Sequence, residues 1–199
     1  MTEAEWLACT RPEAMLKVLR GKASDRKLRL FACACARRIW EQTDKYEFDR
    51  STIHAVELLA EGPADVKKLA DVREVASLDY ELLACEDVEG AARWATGELS
   101  MALPDWLAER IPQARLLRDL FGNPFHPADI DPSWLIWNDA TILKFAQGIH
   151  ADRAFDRLPI LADALEDAGC DNADILAHCR GPGPHVRGCW VVDLLLGKS

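Results

Sequence analysis

Apolar side chains recur every three or four positions along almost the whole chain, which is the pattern of amphipathic helices packed on a core. The segment 24–41 is the clearest case. Its apolar positions fall on one helical face: Leu28, Phe31, Ala32, Cys35 and Ile39. Because similar stripes continue to the C-terminus, the sequence predicts an all-α protein, an irregular multi-helix array or bundle of about ten helices.

One stretch interrupts this pattern. Pro124, Pro127 and Pro132 fall within nine residues, and a helix does not tolerate prolines at that density. We therefore predict an N-terminal helical lobe over residues 1–121, a proline-rich connector over 122–133 and a C-terminal helical lobe over 134–199. A single domain built from both lobes fits the same pattern.

The last apolar segment, residues 189–196, is apolar on nearly every side, which is typical of a buried element. It is predicted as a helix, although its two adjacent valines also fit a strand. We expect Trp190, Val191, Leu194 and Leu195 to be buried. Their expected partners are the apolar faces that contain Ile142, Phe145, Leu161 and Leu165.

The composition fits a globular protein outside the membrane. Of the 199 residues, 49% are hydrophobic and 29% are charged, which are ordinary values. No apolar run approaches the ~20 residues that a membrane helix needs, and the acidic N-terminus lacks the layout of a signal peptide. Seven cysteines, an odd number, fit a reducing compartment. We predict a cytoplasmic protein with no membrane association.

The charge is unevenly distributed along the chain. Residues 15–40 contain eight lysines and arginines and one acid, a net charge of +7, whereas the whole chain carries −9. Arg26, Arg29, Arg37 and Arg38 could therefore bind a nucleic acid or another polyanion. Alternatively, acids of the protein itself neutralise the block. The sequence favours internal pairing, with these acids: Asp65, Asp71, Glu74, Asp79, Glu81, Glu86, Asp87 and Glu89.

Four residues near the C-terminus have side chains that bind zinc. His178, Cys179, His185 and Cys189 lie within twelve residues, and zinc prefers four such ligands at tetrahedral corners. Their spacing matches no standard zinc motif, and adjacent residues of a helix point about 100° apart. The alternative, which the sequence favours, is that Cys189 packs in the core and the two histidines are surface or capping residues.

The proline-rich stretch contains a second candidate binding surface. His126, Trp134 and Trp137 lie in what the sequence predicts as a loop over residues 122–138, and loops of this kind often form binding surfaces. The alternative, again favoured, is that the aromatic residues fill the seam between the two lobes.

Short motifs near both ends of the chain resemble those of a known family. They are residues 1–7, 21–31, 37–40, 117–119, 121–125, 153–165 and 183–190. In these motifs the chain resembles a paralogue-rich family of planctomycete-type bacterial proteins with no known activity. The resemblance implies a bacterial protein whose C-terminus is complete, and it transfers no fold, ligand or functional residue.

No catalytic constellation is evident in the sequence. Nucleophile elbows, phosphate loops, dinucleotide fingerprints and zinc-protease motifs are missing, so we predict no catalytic residues. The first hypothesis is a non-catalytic helical module that binds another protein. The alternatives are a polyanion or nucleic-acid binder that uses the basic helix 24–41, and a protein stabilised by zinc, the one cofactor considered, at its C-terminal His/Cys cluster.

Overall fold

The structure is a computed structural model that describes residues 1–40, 42, 50–62, 87–97 and 100–198. These ranges contain ten α-helices and two short 3₁₀ turns, and no strand occurs among them. The prediction of an all-α array of about ten helices is therefore confirmed for the described part of the chain. None of the described helices is long and apolar enough to span a membrane. Residues 63–86 lie outside the described residues, and with them the candidate partners of the basic block from Asp65 to Glu86.

The chain divides into two compact units, Met1–Leu117 and Arg118–Ser199. The division falls inside a helix, four residues before residue 121, where the sequence placed the end of the N-terminal lobe. The first unit contains α1 (Glu3–Ala8), α2 (Pro12–Leu19), α3 (Asp25–Trp40), α4 (Arg50–Glu61), α5 (Val88–Thr96) and most of α6 (Trp106–Phe121).

Local signals explain where the first helices begin. Thr2 accepts a hydrogen bond from the Glu5 amide, and the Glu5 carboxylate accepts one from the Thr2 amide, which is a capping box. Pro12 occupies the start of α2, where its missing N–H costs nothing. Helix α3 packs against α4 and α5. Its apolar face is buried, with Phe31 and Ile39 fully inaccessible.

The second unit contains the end of α6, α7 (Pro132–Asp152), α8 (Leu158–Asp167), α9 (Ala173–Arg180) and α10 (Trp190–Leu196). Helix α7 begins within the predicted connector because the Asp131 carboxylate caps the Ser133 amide and Pro132 occupies the first turn. Trp134 therefore lies in a helix, and the prediction of a loop over residues 122–138 was wrong for residues 132–136, whereas Trp137 and Asn138 have non-helical backbone. The helix is broken over Trp137–Ala140, where three consecutive residues are left-handed.

The C-terminal helix α10 lies in the core of the second unit. Val191, Val192 and Leu195 are buried in the same cluster as Ile142 and Leu161. Trp190 and Leu194 are partly buried and pack against that cluster. The segment is thus a buried helix, as the sequence predicts, with Trp190 and Leu194 more exposed than expected.

Candidate metal centre

Four metal-binding side chains come together in the second unit. Asp119 lies in the last turn of α6 and His178 in α9, while His185 belongs to the loop that follows and Cys189 immediately precedes α10. Helix α9 is fixed at its start by Asn172, whose side chain accepts hydrogen bonds from two backbone amides. Each of the four residues thus lies on a locally defined segment, and we call them the Asp119 cluster.

The ligand atoms of the Asp119 cluster converge on one point. The Oδ1 atom of Asp119 lies 2.8 Å from Nδ1 of His185 and 3.2 Å from Nε2 of His178. The same Nε2 lies 3.1 Å from Sγ of Cys189. All four ligand atoms lie within 4.8 Å of one another. In a tetrahedral zinc site, neighbouring ligand atoms are separated by about 3.3–3.6 Å, so small shifts would place an ion between them.

Hydrogen bonds to backbone groups orient two of the four residues. The Val186 amide donates to Oδ2 of Asp119 at 2.9 Å, which leaves Oδ1 directed at the cluster. The Nε2 atom of His185 lies 3.3 Å from the carbonyl oxygen of Gly181. With Nε2–H donating to this carbonyl, a cation in the cluster would take the place of the Nδ1 proton that otherwise bonds Asp119. Metal-binding histidines usually make such a bond with their second nitrogen.

Aromatic packing holds the histidine rings. The rings of His178 and His185 meet edge to face with 4.8 Å between centroids, and Trp190 lies 5.2 Å from His178. Gly122 has φ +59°, and a Cβ there would lie 3.1 Å from the Trp190 ring. Both the left-handed backbone and the close approach of Trp190 favour glycine at this position.

The cluster is buried, and its ionisation states reflect that burial. Asp119 is 3% exposed; burial alone would raise the pKa of its carboxyl, but hydrogen bonds from His178 and His185 outweigh burial and lower the pKa. For His185, burial lowers the pKa, whereas the Asp119 carboxylate raises it more. Burial and the Asp119 charge raise the pKa of the Cys189 thiol well above its ordinary value. Without a cation, Cys189 is therefore a neutral thiol beside a carboxylate.

The contacts differ from those of a cysteine–histidine–aspartate catalytic triad. In a triad the nucleophile contacts one ring nitrogen and the acid orients the ring through the other. Here Cys189 and Asp119 both contact Nε2 of His178. Cys189 is also inaccessible to solvent, whereas a reactive cysteine needs access to its substrate. The arrangement therefore suits a shared ion better than a proton relay.

No family model, curated protein or solved structure matches this chain. The nature of the site is therefore inferred from its own donor atoms.

The structure brings together three of the four predicted metal ligands and adds one. His178, His185 and Cys189 belong to the Asp119 cluster, whereas Cys179 is buried in the apolar core. Burial, chiefly, raises the pKa of Cys179 to about 12. Asp119 was not predicted. One signal in the sequence points to Asp119: this acid lies at the end of an apolar helical run that also contains Leu120. An acid in such a run is expected to be buried, and a buried carboxylate needs partners.

The arginines of α3 pair with acids of the first unit. Arg26 contacts Glu61 at 2.8 Å. Arg37 binds Glu57 through two hydrogen bonds of 2.7 and 2.9 Å, and Arg38 binds Glu109 in the same way at 2.7 and 3.1 Å. Arg29 is partly buried. Acids of α4 and α6 thus pair with Arg26, Arg37 and Arg38. The sequence favoured internal pairing of this kind, but with acids from another segment.

We expect Arg38→Ala to destabilise the first unit. It would leave the Glu109 carboxylate, 4% exposed, without its bidentate partner. Loss of one member of a buried ion pair costs about 3–5 kcal/mol, and partial exposure of Arg38 reduces this to about 2–4 kcal/mol. Urea unfolding measures the change, with exposed Lys22→Ala as the control. A loss no larger than that of the control would contradict the internal role of Arg38.

The second predicted binding surface, formed by His126, Trp134 and Trp137, does not lie together on the protein surface. Trp134 is buried in the core of the second unit, and Trp137 packs against the same core. His126 is exposed. The two tryptophans therefore pack within this unit and present little surface to a partner.

Proposed function

We propose that the second unit binds one Zn²⁺ ion through Oδ1 of Asp119, Nε2 of His178, Nδ1 of His185 and Sγ of Cys189. The observation that supports this proposal is the convergence of the four ligand atoms within 4.8 Å. A carboxylate, two imidazoles and a thiol form four donors of the types that zinc binds. An ion at their centre would also stabilise the thiolate form of Cys189, which is unfavourable beside Asp119 alone.

The donor set favours zinc over other common cations. Calcium and magnesium prefer six or more oxygen ligands, and the cluster offers one carboxylate. Thiolate and imidazole ligands suit zinc and its neighbours in the transition series. A four-coordinate site of nitrogen, sulphur and oxygen donors is typical of Zn²⁺.

The expected role of the ion is structural. Four protein ligands fill a tetrahedral shell, whereas catalytic zinc sites keep one position for water or substrate. The ion would join the last turn of α6, helix α9, the loop after it and the residue before α10. We propose that zinc in this way stabilises a non-catalytic helical module that binds another protein. The ion pairs of Arg26, Arg37 and Arg38 favour this proposal over the polyanion alternative.

Two cysteine variants and a metal analysis test the zinc proposal. Cys189 and Cys179 are both buried and lie ten residues apart, so Cys189→Ser and Cys179→Ser make a matched pair. After purification without chelators, the unaltered protein and Cys179→Ser should contain about one zinc per chain, and Cys189→Ser less than about 0.2.

Refolding with added zinc separates loss of a ligand from loss of the fold. We expect Cys189→Ser to remain low in zinc after refolding with excess metal and removal of unbound ions. An unaltered protein that takes up no zinc under these conditions would overturn the proposal. Equal loss of zinc in both cysteine variants would overturn the assignment of Cys189 as a ligand.

A further inference from the structure

A cleft whose chemistry differs from that of the Asp119 cluster lies along α7. Past the break at Trp137–Ala140, a cleft of about 280 Å³ follows the helix. It is lined by Thr141, Lys144, Phe145, Gly148 and Ile149, which share one helical face, and by Arg157 just before α8. The cleft thus combines two cations and a hydroxyl with an aromatic and an aliphatic side chain.

The charge of this cleft is opposite to that of the whole protein. The chain carries a net charge of −9, but the described residues that line the cleft include two bases and no acid. Lys144 pairs with Asp139, and both side chains are largely exposed, so this ion pair is weak and easily exchanged. Within the described part of the chain, the Arg157 side chain has no ion pair. Arg157 is therefore available to an anion, and Lys144 becomes available when it exchanges Asp139 for that anion.

Gly148 provides a separate indication that the cleft receives a ligand. It lies in the interior of α7, where glycine is less favourable than alanine. A Cβ at this position would meet no atom within 4 Å. Packing within the protein therefore does not require glycine there. The absence of a side chain instead leaves space at the floor of the cleft, where a ligand can approach the helix backbone.

We propose that this cleft binds a small phosphate monoester. The dianionic phosphate would lie between Lys144 and Arg157, beside the Thr141 hydroxyl, which itself donates to the Asn138 carbonyl oxygen. The forked guanidinium of Arg157 matches two phosphate oxygens. The organic group would lie over Gly148 against Phe145 and Ile149. The volume is near the lower end for ligand pockets, which suits a ligand of one ring or sugar rather than a nucleotide. This site is independent of the proposed zinc centre.

Calorimetric titration of the full chain with phenyl phosphate tests the proposal. Near pH 7.5 this probe is mostly a dianion, because its second pKa is about 6. We expect saturable binding that weakens as salt is added and no comparable binding of phenol, its neutral counterpart. Arg157→Gln should bind phenyl phosphate at least about tenfold more weakly. Lys22→Gln, a cation exposed elsewhere, should bind like the unaltered protein.

Gly148→Ala distinguishes a ligand site from a structural role. Alanine should raise the melting temperature because it favours the helix, and its methyl group should weaken binding by about tenfold. Saturable binding lost in Arg157→Gln and reduced in Gly148→Ala would support the proposal. It would be overturned by no binding at millimolar phenyl phosphate, by phenol binding as tightly, or by unchanged affinity in either variant.

Discussion

A chain that ends at Cys189 should lose the folded second unit, although it keeps all four residues of the Asp119 cluster. Helix α10 contributes Val191, Val192 and Leu195 to the core. Burying one such side chain stabilises a protein by about 1.5–3 kcal/mol, so the three together approach a typical net stability of about 5–15 kcal/mol. Circular dichroism should show loss of helix, and amides of residues 118–189 should exchange rapidly with solvent.

A second truncation is the control for this experiment. A chain that ends at Gly197 keeps α10 and loses only two residues, so it should melt close to the full-length protein. If the chain that ends at Cys189 keeps its helical signal and melting temperature, α10 is a docking segment rather than part of the core. That result would contradict the packing described above.

Loss of the metal should be the other large effect. Apparent binding free energies of structural zinc sites are about 10–16 kcal/mol. Loss of one of the four ligands should therefore lower the free energy of unfolding of the zinc-bound protein by at least about 3 kcal/mol. Asp119→Asn keeps the shape of the side chain but removes its charge. We expect this variant to lose at least about 3 kcal/mol of unfolding free energy in zinc-containing buffer, measured by denaturant titration.

The comparison with chelator separates a metal ligand from a hydrogen-bonded acid. A strong chelator should lower the melting temperature of the unaltered protein and remove most of its advantage over Asp119→Asn. Asp167→Asn, an exposed acid on α8, should behave like the unaltered protein in both buffers. If Asp119→Asn costs the same stability with and without chelator, Asp119 supports a polar network and not an ion.

The helical fold could be predicted from periodicity because apolar stripes determine which face of each helix is buried. The start of α7 could not be placed, because three prolines within nine residues, Pro132 among them, predict that no helix forms there. A proline in the first turn lacks only an N–H that would be unsatisfied in any case, and Asp131 caps the helix before it. The left-handed residues from Asn138 to Ala140 also lack the glycine that usually marks such a backbone.

The candidate metal centre could be predicted in part. The sequence predicts His178, His185 and Cys189 as ligands because the three residues lie within one short segment, residues 178–189. It also suggests Cys179, which α9 turns toward the core. Asp119 lies 59 residues before His178 in the sequence, and no local pattern connects the two. Only the packing of α6 in the second unit brings this carboxylate to the cluster.

Cobalt substitution tests the central claim most directly, because Co²⁺ replaces Zn²⁺ and its absorption reports ligands and geometry. The metal-free protein should bind one Co²⁺ per chain. We expect the intense visible bands of a tetrahedral ion and a sulphur-to-metal charge-transfer band, both lost on adding Zn²⁺. The charge-transfer band should be missing in Cys189→Ser and retained in Cys179→Ser. A weak octahedral spectrum without a sulphur band, or no uptake of cobalt, would contradict the proposed site.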